Sequence, residues 1–230
     1  DSISAAKAIT EGVEGRGVDI VEIGMPYSDP LMDGLVIQHA TAKARARGVR
    51  TRDAFLAVEA VAHTTATPMV MTYWNLIEAY GVDAFARDLA AAGGAGVITP
   101  DLPPDDCLEW LEATDKYGLD RVFLIAPSST EERIGLTMSK CRGWVYASSV
   151  MGVTGARAST SDAAPVITAR ARAVDPGLPV GIGLAIGMRG QERRQRRAVV
   201  VDAQAVGEIV QRCAEAARGI HRRHQHAVGK

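Results

Sequence analysis

Cysteine, lysine and aromatic residues are all scarce in this chain of 230 residues, and each scarcity removes a class of chemistry. The three cysteines, Cys107, Cys141 and Cys213, lie far apart with no CxxC or CxxH spacing, which argues against a zinc site or a disulfide framework and fits a reducing cytoplasm. The sequence has no HExxH and no carboxylate cluster, and its HxH, His224 to His226, lies in the tail, so no dedicated metal centre is expected. All five lysines, Lys7, Lys43, Lys116, Lys140 and Lys230, fall on helical segments or the tail, which leaves no strand-borne amine for a Schiff base. Long apolar runs are missing too: none approaches the roughly 20 residues of a membrane span. The opening DSISAAKAIT lacks the basic and apolar regions of a secretory signal. A formal net charge of -1 gives no reason to expect nucleic acid or an anionic membrane as partner. The expectation is a cytoplasmic, soluble protein.

What is present is an alternation. With 47% hydrophobic and 23% charged residues the chain has the makeup of one globular α/β domain. Strand-like runs occur at 18–23, 68–73, 95–99, 121–125, 143–147, 179–182 and 198–201. Between them, segments such as 51–63, 82–92, 105–117, 130–140 and 203–218 carry apolar residues at helical spacing, with Thr51 or Asp53, Asp105 and Thr130 as helix-opening caps. Strict alternation implies parallel strands with right-handed crossovers, and seven of them without a linker point to a closed barrel. A barrel wants eight, and the chain opens in a helical pattern. The predicted fold is therefore a (β/α)8 TIM barrel lacking its N-terminal strand, a single domain over residues 1–230. The tail from Gly219 is basic and His-rich and is read as a frayed, disordered end.

In such a fold active groups sit on the loops after the C-terminal ends of strands. That rule selects Glu22, Ser28, Asp29 and Asp33 after the first run, Thr72, Tyr73 and Asn75 after the second, and Asp101 after the third. Tyr146, Ser148, Ser149 and Thr154 follow the fifth, and Gly181 and Gly183 the sixth. Glu22 closes an almost wholly apolar strand, where a charge costs several kcal/mol unless it is paired or its pKa moves. Asp33 lies on a Gly/Pro-punctuated loop able to close over a substrate. A rigid acid and a mobile one suit proton transfer at two places on one molecule. On pattern alone the alternative is a strand-end ion pair and an Asp-Pro turn. The loop SSVMGVTGAR, 148–157, offers backbone N–H groups for an anion, or a plain connection. A cofactor-free acid/base enzyme acting on a carbon bond of a phosphate ester is what remains.

At these residues the chain resembles the alpha subunit of tryptophan synthase. VEIGMPYSDPLMDG, the MTYWN strand end, AAGGAGVITPDLP, FLIAPSST and YASSVMGVTGAR stand in family order between Val18 and Gly183. The resemblance implies a TIM barrel that cleaves indole-3-glycerol phosphate to indole and glyceraldehyde 3-phosphate, in the last steps of tryptophan biosynthesis. It also implies an alpha-beta-beta-alpha heterotetramer, with no cofactor in this chain and pyridoxal phosphate on the partner beta subunit. By that resemblance Glu22 is the strand-end acid/base and Asp33 the loop carboxylate that accepts from the indole N–H. Tyr146 lines the site beside the glutamate, Thr154 hydrogen-bonds toward the loop aspartate, and Met71 and Ile182 supply apolar wall around the indole. Gly155 and Gly183 match phosphate-loop positions, and Asn75 and Asp101 lie where the family meets its partner.

The chain departs from the family after Gly183. Asp202 and Ala203 occupy the Gly-Ser positions, where a carboxylate would repel a phosphate dianion, so an impaired activity is expected. The Arg-rich run 189–197 falls where an amphipathic barrel helix belongs and reads as a solvated face. Leu35 replaces the proline common after the loop Asp-Gly. A second reading is a catalytically weak module that docks on and activates a beta subunit; a third is another phosphate-handling barrel enzyme.

Overall fold

The strand runs that carry Val and Ile on consecutive positions do become strands with both faces covered. The computed structural model describes residues 19–148, 163–183 and 198–201. Its strands are β1 (Ile20–Gly24), β2 (Thr67–Met71), β3 (Gly96–Ile98), β4 (Asp120–Val122), β5 (Leu124–Ile125), β6 (Val145–Ser148), β7 (Val180–Gly183) and β8 (Ala198–Val201). Strands β4 and β5 are two halves of one extended run, parted at Phe123. The Phe123 carbonyl still accepts from the Tyr146 N–H at 3.0 Å, so the sheet passes across the break. Every strand pair is parallel, in the orders β8-β1-β2-β3-β4 and β5-β6-β7. Among the described residues this makes seven barrel strands, at the seven predicted places. Strand β8 lies directly along β1, with Ile20 opposite Ala198 and Ile23 opposite Val201.

Alternation along the strands separates two layers. Val21, Ile23, Val70 and Val97 point outward into the main core, where they meet Phe55, Val58, Phe85, Leu89 and Trp110 from the helices. Ile20, Met69, Ile98 and Val122 point inward and form a second, smaller cluster, with Met71, Leu124, Trp144 and Tyr146 packed against it. On the far side Val145 and Ala147 of β6 pack outward against Ile134, Met138, Ile167 and Ala171. Burying a Val or Ile side chain contributes about 1.5–3 kcal/mol, so the outer layer holds most of the apolar stabilisation. The inner layer is left to line a site.

The helices are α1 (Leu35–Ala46), α2 (Ala54–Ala62), α3 (Trp74–Tyr80), α4 (Val82–Ala91), α5 (Leu108–Tyr117), α6 (Glu131–Lys140) and α7 (Ala163–Val174). Thr130 caps α6 as predicted, its hydroxyl accepting from the Arg133 N–H at 3.2 Å. The segment from Thr51 opens as a 3-10 turn, Thr51–Asp53, and the Asp53 carboxylate accepts from the Arg50 N–H at 2.7 Å. Asp105 is not the cap expected of it. Helix α5 starts three residues later, behind Cys107, and the Asp105 carboxylate pairs with Arg133 instead. Gly118 ends α5 in the left-handed conformation, φ 71°, that glycine adopts without steric cost. The predicted helix at 203–218, the Arg-rich run and the tail lie outside the described residues. Among those described, no helix is long and apolar enough to cross a membrane.

Candidate active site

Glu22 is the middle residue of β1 and faces inward, in register with Met69 of β2 and Val200 of β8. It is 3% exposed, and its Oε2 is buried with no hydrogen-bond partner. Among the described residues no ion pair offsets its burial, so none of them supports the ion-pair reading. Burial alone disfavours the charged form and raises the pKa from 4.5 to about 7. A carboxyl poised there exchanges a proton in either direction at neutral pH.

Tyr146 stands on the same inner layer, on β6, and packs against Trp144 with ring centroids 5.6 Å apart. Its hydroxyl pKa is raised by burial and, less, by the charge of Glu22, which places the two groups within electrostatic reach. The neighbouring β7 contributes glycines at its inward positions for a steric reason. A Cβ on Gly181 would meet the Trp144 ring, and one on Gly183 would meet the Cζ and hydroxyl of Tyr146. Both aromatics therefore lie across β7 because nothing projects from it. Met71, at the end of β2, is half-buried against the inner cluster. Ile182 alternates to the opposite face from Gly181 and Gly183 and is 46% exposed, so it is not brought to the inner wall with the others.

Asp33 lies on the loop between β1 and α1. It is half-buried; desolvation raises its pKa, and the neighbouring Tyr73 hydroxyl opposes the rise without cancelling it. The same Tyr73 hydroxyl accepts from the Met32 N–H at 3.0 Å, and the Gln38 side chain donates to the Asp33 carbonyl at 2.7 Å. Tyr73 is buried, its ring 5.1 Å from that of Tyr27, and its own pKa is pushed up to about 12, chiefly by burial. Sequence reasoning named Tyr73 as a strand-end residue but gave it no task. Its partner Met32 is 41 positions away, and only the folded loop brings the two together.

Asp101 and Asn75 meet at one rim. Both carboxylate oxygens of Asp101 accept from the Trp74 N–H, at 2.9 and 3.1 Å, and so hold the start of α3; Asn75 is exposed beside it. A second rim contact comes from Arg170 of α7. It pairs with Glu131 at 2.6 Å and donates to the carbonyls of Pro127 and Ser129, pinning the loop after β5. Nothing in the sequence pattern pointed to Arg170, because its partners lie about 40 residues upstream. Ser149, Thr154, Gly155, Asp202 and Ala203 lie outside the described residues.

The arrangement places a carboxyl with a pKa of about 7 on a strand and a second carboxyl on the loop that follows that strand. Comparison with known proteins agrees on what such a frame belongs to. Residues 1–228 match the family described as tryptophan synthase alpha chain. The alpha chain of Mycobacterium marinum is 55% identical over 210 residues, covering 91% of this chain and 77% of that protein. The alpha chain of Salinispora tropica is 60% identical over 180 residues, covering 78% and 66%. Among solved structures, Mycobacterium tuberculosis tryptophan synthase superposes with a TM-score of 0.75 at 46% identity, covering 90% of this chain and 83% of its own. The α2β2 complex of Pyrococcus furiosus gives 0.72 at 29% identity, covering 92% and 89%. By its sequence and by its barrel, this chain belongs to the tryptophan synthase alpha chain family.

Proposed function

We propose that this protein is a lyase that cleaves indole-3-glycerol phosphate into indole and glyceraldehyde 3-phosphate, in tryptophan biosynthesis. The single observation that supports the chemistry is Glu22: a buried carboxyl in the middle of β1, one oxygen without a hydrogen-bond partner among the described residues, with a pKa of about 7. In this reading the Glu22 carboxyl delivers its proton to the ring carbon that bears the side chain. Positive charge then spreads to the indole nitrogen, whose N–H donates to the Asp33 carboxylate. The Glu22 carboxylate takes the proton of the adjacent side-chain hydroxyl as the carbon-carbon bond breaks. The electron pair of that bond returns to the ring, the carbinol carbon becomes the aldehyde, and Glu22 ends as it began. Tyr146 and Met71 wall the ring, and Thr154, Gly155 and Gly183 serve the loop and the phosphate.

The chain is proposed to need no cofactor of its own. Its partner would be a tryptophan synthase beta subunit carrying pyridoxal phosphate, in an alpha-beta-beta-alpha tetramer, docked at the rim that holds Asn75 and Asp101. Asp202 and Ala203 in the phosphate cradle weaken substrate binding in this account, and the double change Asp202→Gly, Ala203→Ser is expected to lower KM. The deciding experiment is indole release from indole-3-glycerol phosphate, with and without a beta subunit, by the parent protein and Glu22→Gln. Release by the parent and none by the variant is expected; equal release by both would overturn the reading.

A further inference from the structure

Packing does little to hold the loop that carries Asp33. Leu31 and Leu35, the leucines on either side of it, are each 72% exposed, and a cavity of about 260 Å³ lies between the start of the loop at Tyr27, Ser28 and Pro30 and residues Gln38 and Thr41 of α1. Hydrogen bonds hold the loop instead, one on each side of Asp33. The Met32 N–H donates to the Tyr73 hydroxyl at 3.0 Å, and the Asp33 carbonyl accepts from the Gln38 side-chain amide at 2.7 Å. Each bond holds one planar peptide unit, the first ending at the Met32 Cα and the second beginning at the Asp33 Cα. A single peptide unit joins the two. The Asp33 Cα is therefore set from both directions, and its carboxylate is left with two side-chain torsions. Both anchors are themselves fixed. Tyr73 is buried with its ring 5.1 Å from that of Tyr27; before it the Thr72 N–H donates to the Ile98 carbonyl at 3.1 Å, and after it the Trp74 N–H donates to both oxygens of Asp101. Gln38 lies one turn into α1, where its own N–H donates to the Gly34 carbonyl at 2.9 Å.

We propose that Tyr73 and Gln38 are the positioning residues of Asp33, a two-point grip that fixes the backbone on both sides of it and so sets where its carboxylate stands. This rests on the proposed reading of Asp33 as the group that meets the indole N–H, and it adds the residues that place that group. A misplacement of about 1 Å in a reacting arrangement costs on the order of 10²-fold in rate. A loop whose leucines face solvent has little packing to supply such precision. The grip supplies it from two helix starts, α3 through Tyr73 and α1 through Gln38. One hydrogen bond alone leaves its peptide free to turn about the bond axis, whereas two across a one-peptide span do not. Loss of either anchor therefore frees the same segment.

The test reads the loop backbone and the turnover together, in the full chain. With methionine labelled at its amide nitrogen, the resonance missing in Met32→Leu identifies Met32, and its hydrogen exchange is followed by NMR in the parent, Tyr73→Phe and Gln38→Met. Tyr73→Phe keeps the ring that packs on Tyr27, and Gln38→Met keeps a side chain of similar length. Exchange at Met32 is expected to rise about tenfold in Tyr73→Phe, which removes its acceptor, and by a comparable factor in Gln38→Met, which leaves that acceptor in place. Unchanged exchange at Met32 in Gln38→Met overturns the grip, because a merely structural Gln38 loosens the start of α1 and nothing beyond it. In indole release from indole-3-glycerol phosphate, each variant is expected to lose about tenfold in kcat with KM moved by less than about twofold. The double variant is expected to lose about as much as the larger single loss, since both anchors hold one segment. A double variant that loses the product of the two single losses overturns the proposal too. Should Asp33→Asn keep full turnover while exchange moves as stated, the functional reading of Asp33 fails and the grip stands; should Asp33→Asn lose turnover while exchange at Met32 stays put in both variants, the grip fails and the reading stands.

Discussion

Glu22 and Asp33 are two carboxyls at one barrel mouth, and the protein treats them in opposite ways. Glu22 sits on a strand, sealed by apolar neighbours, with one oxygen left without a partner. Asp33 sits on a loop, half-buried, beside the Tyr73 phenol. Burial raises both pKa values, but only Asp33 has a neighbour that opposes the rise. The difference teaches how one fold obtains an acid and an anion from the same functional group at the same pH. Isolation yields a proton to give, and a polar neighbour favours a charge to hold.

The sharpest way to break this comparison is to remove the proton carrier. Glu22→Gln is expected to lower indole release by about 10³-fold or more, within the range of a lost general acid/base; a steady-state assay at pH 7 checks it. The same variant exposes the stability cost of isolation. Glu22 ionises near its ordinary value of 4.5 when unfolded and near 7 when folded, so the stability its neutral form supplies is complete below 4.5 and lost as pH rises through 7. Glu22→Gln is therefore expected to exceed the parent by about 3 kcal/mol at pH 8 in denaturant melts, the gap closing as pH falls toward 4.5. A constant gap would mean that the glutamate is not desolvated.

Smaller effects sharpen the contrast. Asp33→Asn keeps the side-chain shape but removes the charge, and it is expected to cost about 10²-fold, expressed in kcat more than in KM. Parent activity should fall above about pH 7, as Glu22 loses its proton, and also at acid pH, as Asp33 gains one. At the small end, Thr130→Ala removes the α6 cap and is expected to cost about 1 kcal/mol in thermal melts, with the pH profile unmoved.

The barrel was legible because each strand is an apolar run between punctuated loops, and all seven runs fold where pattern places them. The gap at Phe123 was not legible, since β4 and β5 read as one run of uniform character. Helix α1 was not among the helical segments named, and its sequence LVIQHATAKARA opens with three apolar residues in a row. Asp105 failed as a cap because Arg133, 28 positions on, competes for its carboxylate. Within the site, Glu22 stood out for being an acid in the wrong surroundings. Ile182 needed the register of β6 with β7 to reveal its face. Tyr73 needed the loop itself, because no local spacing encodes a contact across 41 residues.

One further consequence belongs to Trp144. Its ring leans on Tyr146 in the inner layer, whereas Trp74 and Trp110 pair with each other 6.0 Å apart in the outer layer; among the described residues the buried indole nitrogens of Trp144 and Trp110 have no partner. If the proposed function holds, binding of glyceraldehyde 3-phosphate, itself dark in the near ultraviolet, is expected to change the emission of Trp144, with the other two tryptophans as an internal standard.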